Sequence, residues 1–270
     1  MICFPNAKIN LGLHVTQKRE DGFHNIETIF YPIGWHDALE VVEGHSKAFN
    51  LVTSGITING DIKDNLLYKA YLLIKEYKAL PSLDIFLHKT LPMGAGLGGG
   101  SADAAFFINL LNNQFALQLT DTQKMTIAKQ LGSDCAFFIN NKPTFAYHKG
   151  DEFKSLSLDL STYYLAVIYP NIHSNTKEAY SLVIPQMPAK SITVIIQQPI
   201  DTWKKELIND FEPSIFSLYP LVKNIKQTLY EKGALYASMS GSGSAVFGIF
   251  KEMPLINELT KYPHWIGKMN

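Results

Sequence analysis

Pro92-Met93-Gly94-Ala95-Gly96-Leu97-Gly98-Gly99-Gly100-Ser101-Ala102 is the densest signal in this 270-residue chain. Five glycines fall within positions 94–100, which removes the β-carbons that would hold a ligand off the backbone. Amide groups can then converge on an anion, and a following helix adds the positive end of its dipole. Residues 83–88 ahead of the loop read as a strand, and Ser101 is placed to cap a helix over 102–111. The plainer reading is a linker or a tight strand-to-helix turn. A linker is not normally followed at once by a capped apolar helix, so a phosphate cradle is the better account.

Gly94, Gly96 and Gly99 also satisfy the dinucleotide pattern GxGxxG. That fold needs a buried strand running straight into the first glycine, and Lys89-Thr90-Leu91-Pro92 intervenes here. It also needs an acidic residue after a second strand about twenty residues on, where this chain still reads as helix or loop. No GxxxxGK[ST], HRD or DFG occurs, which removes the Walker loop and the protein-kinase fold.

Composition narrows the function classes. The 24 Lys+Arg balance 24 Asp+Glu, so the basic excess expected of a nucleic-acid binder is missing. Hydrophobic residues at 46% and charged residues at 18% describe a globular chain rather than a disordered one. No apolar run reaches the ~18–20 residues of a membrane span. Met1-Ile2-Cys3-Phe4-Pro5 does not read as a signal peptide. With only Cys3 and Cys135, no CxxC and no HxxxH, a disulfide framework and a zinc site lack support, and a reducing cytoplasm is the expected setting.

Elsewhere, residues 7–15 alternate as a half-buried strand, with Lys8, Asn10, Gly12 and His14 on a polar working face. Strand-like runs follow at 26–33, 39–43, 49–53, 163–169, 234–239 and 245–250. Helices are expected over 64–77, from a Thr120 cap to 131, and over 215–231; residues 191–198 stay open between strand and helix. The pattern restarts after Lys149-Gly150-Asp151, which suggests domains at 1–152 and 153–270. By local sequence Asp134 is a helix cap, Lys8 a strand lysine, and Phe23-His24 the end of a turn begun by Asp21-Gly22. Gly241 and Gly243 suit either a hairpin turn or a close approach to substrate.

Read together, these segments resemble the galactokinase, homoserine kinase, mevalonate kinase and phosphomevalonate kinase (GHMP) superfamily. Its mark is a loop of the form PxxxGLGSSA, matched by residues 92–102 with Gly99 and Gly100 standing in its first serine region. Pro5-Asn6-Ala7-Lys8-Ile9-Asn10-Leu11, Asp21-Gly22-Phe23-His24, Leu131-Gly132-Ser133-Asp134 and Met239-Ser240-Gly241-Ser242-Gly243-Ser244 extend the likeness along the chain. They point to the branch acting on 4-diphosphocytidyl-2-C-methyl-D-erythritol, and Asn209-Asp210-Phe211-Glu212 is a weaker echo of it.

The resemblance implies an α+β fold of two domains, an ATP-binding half and a ferredoxin-like half. It implies ATP-dependent phosphorylation of a tertiary 2-hydroxyl in the non-mevalonate isoprenoid pathway, with Mg2+ as the accompanying ion. Lys8 and Asp134 carry over as catalytic residues. Pro92, Met93, Gly94, Ala95, Gly96, Leu97, Gly98, Gly99, Gly100, Ser101 and Ala102 carry over as the ATP loop, with Asn65 near the adenine and Ser101 also a candidate Mg2+ ligand. Asn10, Phe23, His24, Thr176 and Tyr180 match substrate positions; Phe23 stands where the family often has a tyrosine stacked on cytosine, and Tyr180 where a phenylalanine is common. The competing readings are a nucleotide-dependent oxidoreductase, an RNA-binding module, and a mevalonate- or homoserine-type kinase.

Overall fold

The computed structural model describes residues 1–45 and 48–269. In chain order the strands and helices begin with β1 (Ile2–Cys3), β2 (Asn6–Lys18), β3 (His24–His36), β4 (Ala38–Glu43), β5 (Phe49–Gly55), α1 (Leu66–Lys75), β6 (Leu83–Lys89), α2 (Gly99–Gln114), α3 (Asp121–Leu131) and α4 (Ser133–Asn140). There follow β7 (Thr144–His148), β8 (Glu152–Ser155), β9 (Tyr164–Ile168), α5 (Thr176–Ser181), α6 (Ile192–Ile195), α7 (Ile200–Glu206), α8 (Glu212–Leu218), α9 (Pro220–Glu231), β10 (Tyr236–Met239), β11 (Val246–Phe250) and β12 (His264–Lys268).

Two compact units form, and both are discontinuous in sequence. The first comprises Met1–Ala7, Trp35–Leu91 and Gly98–Asn141; the second comprises Lys8–Gly34, Pro92–Leu97 and the chain from Lys142 onward. These contacts therefore draw a different division from a single break at 152. The long strands β2 and β3 run from one unit into the other, which a change in composition along the chain cannot register.

The first unit holds a sheet of order β1-β4-β6-β5, antiparallel at β4–β6 and parallel at β5–β6. Strand alternation turns Leu83, Ile85, Leu87 and Lys89 to the same buried side of β6. Leu67, Ala70, Tyr71 and Ile74 form the buried stripe of α1, while α2 buries Phe107, Ile108 and Leu111. Thr120 and Gln123 make a reciprocal capping box on α3, as the Thr120 expectation required.

Two other caps differ from expectation. Helix α2 begins at Gly99, behind the left-handed Gly98, so Ser101 lies inside the first turn and does not cap it. Helix α4 follows Gly132, so Asp134 also lies in a first turn and is not the cap.

In the second unit β2-β3-β7-β8 forms one sheet and β10-β11-β9-β12 another, the latter antiparallel at every pairing. The latter order is that of a split βαββαβ unit, the expected ferredoxin-like arrangement. Helices α5 to α9 occupy its first crossover, and the second is reduced to a 3-10 turn at 257–259. Strands β7, β8 and β12 had no sequence expectation.

The open segment 191–198 contains the short helix α6, with Ile192 and Ile195 buried at helical spacing and Ser191 as its cap. The single helix expected over 215–231 is two helices. Pro220 cannot donate to the preceding turn and disfavours helical geometry at Tyr219, so α8 stops and α9 starts with proline at its first position. Strand β2 is buried on both faces: Lys8, Asn10 and His14 are only 3%, 2% and 4% exposed. The polar face is real, but it is enclosed rather than half open.

Candidate active site

In the first unit, the start of α2 supplies the anion-binding geometry. Gly98 has φ 72° and ψ 17°, a left-handed conformation that turns the chain into the helix. The N–H groups of the first helical turn, including Gly99, Gly100 and Ser101, have no acceptor one turn back within the helix. With the helix dipole behind them they favour a phosphate. Asn65 Oδ1 caps α1 by accepting from the Leu67 N–H at 2.9 Å. The same residue lines a cavity of about 250 Å³ together with Leu51, Thr53, Ile58, Ile62 and Asp64. Helix α2 packs on α4, with Ser101 near the Cys135 thiol. Burial pushes the Cys135 thiol up to about 11, so it is an uncharged spacer beside Asp134.

Sequence reasoning missed the buried ion cluster at the foot of this loop. Lys89 Nζ reaches Asp103 Oδ2 at 2.8 Å and also donates to Asp37 Oδ2. Asp37 Oδ1 accepts from the backbone N–H groups of Thr90 at 2.5 Å and Leu91 at 2.8 Å. A Cβ at Gly99 would stand 3.0 Å from the ammonium. Burial raises the Asp103 carboxyl to about 7 against the pull of Lys89. Burial alone would lower Lys89, but Asp103 and Asp37 outweigh it and hold its pKa above the ordinary value. The available signal was parity: Lys89 continues the inward alternation of Leu83, Ile85 and Leu87.

In the second unit, Lys8 Nζ donates to Asn10 Oδ1 at 2.7 Å and lies 4.8 Å from the centre of the Phe30 ring. Asn10 Nδ2 donates to the Thr28 hydroxyl at 3.0 Å, which in turn donates to the Gly12 carbonyl at 2.5 Å. The Ser240 hydroxyl reaches Gly96 O at 2.8 Å and Asn10 Oδ1 at 3.3 Å. Gly94 and Gly96 have φ of 67° and 79°. A Cβ would stand 2.4 Å from the His173 ring at the first and 2.0 Å from the Ser240 carbonyl oxygen at the second, so glycine is required at both. The structure thus joins Lys8, Asn10, the loop residues 94–97 and the 239–244 turn in one network.

The His24 ring stacks on Tyr180, with centroids 4.9 Å apart, and Tyr180 meets Phe211 edge-on. Burial first and Lys18 second lower the His24 pKa, favouring a neutral ring with one donor and one acceptor nitrogen. The Thr176 and Ser242 hydroxyls lie 3.0 Å apart, which attaches that wall to the glycine turn. Phe23 is 61% exposed, and the Lys149 ammonium lies 5.3 Å from its ring centre.

Residues 65–142 match the model of the GHMP kinases N terminal domain, and 195–262 match that of the GHMP kinases C terminal. A 4-diphosphocytidyl-2-C-methyl-D-erythritol kinase of Azobacteroides pseudotrichonymphae is 53% identical over 253 residues, 93% of this chain and 94% of its own. Its counterpart in Bacteroides fragilis is 50% identical over 261 residues, 96% and 95% of the two chains. The chain belongs to the 4-diphosphocytidyl-2-C-methyl-D-erythritol kinase family of GHMP kinases. A crystal structure titled as 4-(cytidine 5'-diphospho)-2C-methyl-D-erythritol kinase superposes with a TM-score of 0.77 at 30% identity, covering 92% of this chain and 90% of that one.

Membership makes this chain a small-molecule kinase with the α+β GHMP architecture. The oxidoreductase reading falls away, and so does that of a module without enzymatic activity. Among the described residues no helix is long and apolar enough to cross a membrane.

Proposed function

We infer that this GHMP kinase transfers the γ-phosphoryl group of ATP to the tertiary 2-hydroxyl of 4-diphosphocytidyl-2-C-methyl-D-erythritol, a step of the non-mevalonate isoprenoid pathway. One observation carries the nucleotide half of this reading: a glycine loop with φ of 67°, 79° and 72° at Gly94, Gly96 and Gly98 opens directly onto the first turn of α2. The names of the near-identical-length relatives support the acceptor.

Phosphoryl transfer asks a protein for positioning, charge neutralisation and a proton acceptor. Residues 92–102 hold the phosphates, and Asn65 with its cavity receives the base. The Asp134 carboxylate takes the proton of the attacking hydroxyl. The Lys8 ammonium, buried on β2 and oriented by Asn10 and Phe30, stabilises charge on the transferring group. Asn10, His24, Thr176 and Tyr180 face the acceptor, a neutral His24 reading an edge of cytosine while Tyr180 offers a ring face. Phe23, exposed and outside the His24–Tyr180 stack, serves as an outer lip to that wall.

Ser101 and Asp134 present hard oxygen donors of the kind Mg2+ prefers. Among the described residues no group of three His, Cys, Asp or Glu could hold a metal by itself, which suits an ion carried in with the nucleotide. When bound, Mg2+ neutralises phosphate charge. The substrates are small and water-soluble, in keeping with a cytoplasmic enzyme that needs neither nucleic acid nor membrane.

ADP release, coupled to a spectroscopic readout, tests the acceptor across the cytidyl alcohol, mevalonate and homoserine. Turnover only with mevalonate or homoserine would overturn it. Asp134→Asn should lower kcat about 10²–10⁴-fold with little change in KM. Because Asp134 is not the α4 cap, the variant keeps the helix start, and near-normal turnover would remove the base role.

A further inference from the structure

The segment Asn209-Asp210-Phe211-Glu212 has no part in the mechanism above, yet two of its side chains are wholly committed. Asn209, 2% exposed, donates through Nδ2 to the carbonyls of Met239 and Gly241, both at 2.9 Å, and accepts from the Phe211 N–H at 3.0 Å. Glu212 accepts from the Met239 N–H at 2.9 Å and the Ser238 hydroxyl at 3.1 Å, and pairs with Lys226 at 2.6 Å. The two carbonyls that flank Ser240 in the chain are therefore anchored from this segment.

Ser240 and its neighbours act on the phosphate loop. Three successive loop carbonyls are held: Ala95 O by the Ala245 N–H at 3.1 Å, Gly96 O by the Ser240 hydroxyl at 2.8 Å, and Leu97 O by the Lys8 N–H at 3.0 Å. A peptide group is planar and trans, so fixing the carbonyl of one residue aims the N–H of the next in the opposite direction. The three anchors thereby aim the N–H groups of Gly96, Leu97 and Gly98 away from the holding residues. Alternating left-handed glycines around Leu97 suit the concave amide nests that bind anions.

We propose that Asn209 is a positioning residue for nucleotide binding, acting through the Met239-Ser240-Gly241 turn on the peptide planes of the phosphate loop. This rests on the reading of residues 92–102 as the ATP loop. Asn209→Asp keeps the side-chain shape and the acceptor for Phe211 while placing a carboxylate oxygen against two carbonyls. ATP affinity, measured by calorimetry on the full chain, should fall about tenfold or more, the size of one buried hydrogen bond left unmade. KM for the cytidyl acceptor, whose Asn10 and Thr176 touch the same turn, should change by a smaller factor than ATP affinity, a split that general destabilisation would not produce.

Ser240→Ala should weaken ATP by a factor of about three to ten. The double variant should bind no more weakly than Asn209→Asp alone, because both act through the same contact with Gly96. If Asn209→Asp does not fold, Asn209→Ser, which retains one hydroxyl donor, takes its place in the cycle with the same expected sign. Single variants that bind ATP within twofold of the wild type, or losses that multiply in the double variant, would overturn the proposal. A wild-type chain that binds ATP but does not phosphorylate the cytidyl alcohol would overturn the acceptor and leave this proposal standing. One that does not bind ATP would remove both.

Discussion

The two units anchor the same glycine-rich stretch by opposite means. In the first, Lys89 just before the loop and Asp103 just after it are tied by a buried ion cluster with Asp37. In the second, the carbonyls of Ala95, Gly96 and Leu97 are held by a backbone N–H, a hydroxyl and another backbone N–H, all neutral. Charges hold firmly over a small number of bonds but are costly when one partner is lost, and they titrate. Neutral donors are weaker singly, do not titrate, and orient a peptide plane more exactingly because each must meet a lone pair. The ends of the loop are thus secured by strength, and its amide directions by geometry.

The largest expected effect comes from breaking the ionic side. Lys89→Met keeps the volume but leaves Asp37 and Asp103 buried together without their cation, a loss of about 3–5 kcal/mol. Urea unfolding at neutral pH reads it as a lower midpoint. A loss under about 1 kcal/mol would show that the cluster is not the anchor described.

An intermediate effect tests whether the second unit serves the acceptor independently of either anchor. His24→Ala should weaken the cytidyl acceptor by about 1–3 kcal/mol, as buried partner groups lose their hydrogen bonds. ATP affinity should stay unchanged in the same calorimeter. Weakened ATP with an unaffected acceptor would place the His24–Tyr180 wall on the wrong substrate.

The subtlest readout, a slope against pH, sharpens the contrast by titration. Burial raises Asp103 from its ordinary 3.8 to about 7, so between those values the folded chain holds a proton that the unfolded chain has released. Its contribution to stability is full below about pH 4 and is lost as pH rises toward 7. Asp103→Asn should flatten that part of the stability profile. A profile of unchanged slope would mean that Asp103 stays ionised throughout, with the Lys89 attraction outweighing burial.

Much of the site was legible in the chain because its signals are local. Positive-φ glycines, the Thr120 cap and the alternation in β2 follow from the geometry of a few consecutive residues. The caps at Ser101 and Asp134 were misjudged because both residue types cap well, while Gly98 and Gly132 took that place through backbone conformation alone. Pro220, a helix breaker visible in the sequence, divides α8 from α9 although the apolar spacing continues on either side of it.

By itself the sequence determined the glycine loop, the strand and helix content around it, and a family membership spread over motifs from Pro5 to Ser244. Tertiary structure alone decided that the polar face of β2 is enclosed, that Lys89 sits between Asp37 and Asp103, and that Ser240 holds Gly96. Those pairings span 14, 52 and 144 residues. Local propensity acts through neighbours a few positions apart, whereas which donor meets which carbonyl depends on where distant segments are brought together by burying their apolar surfaces.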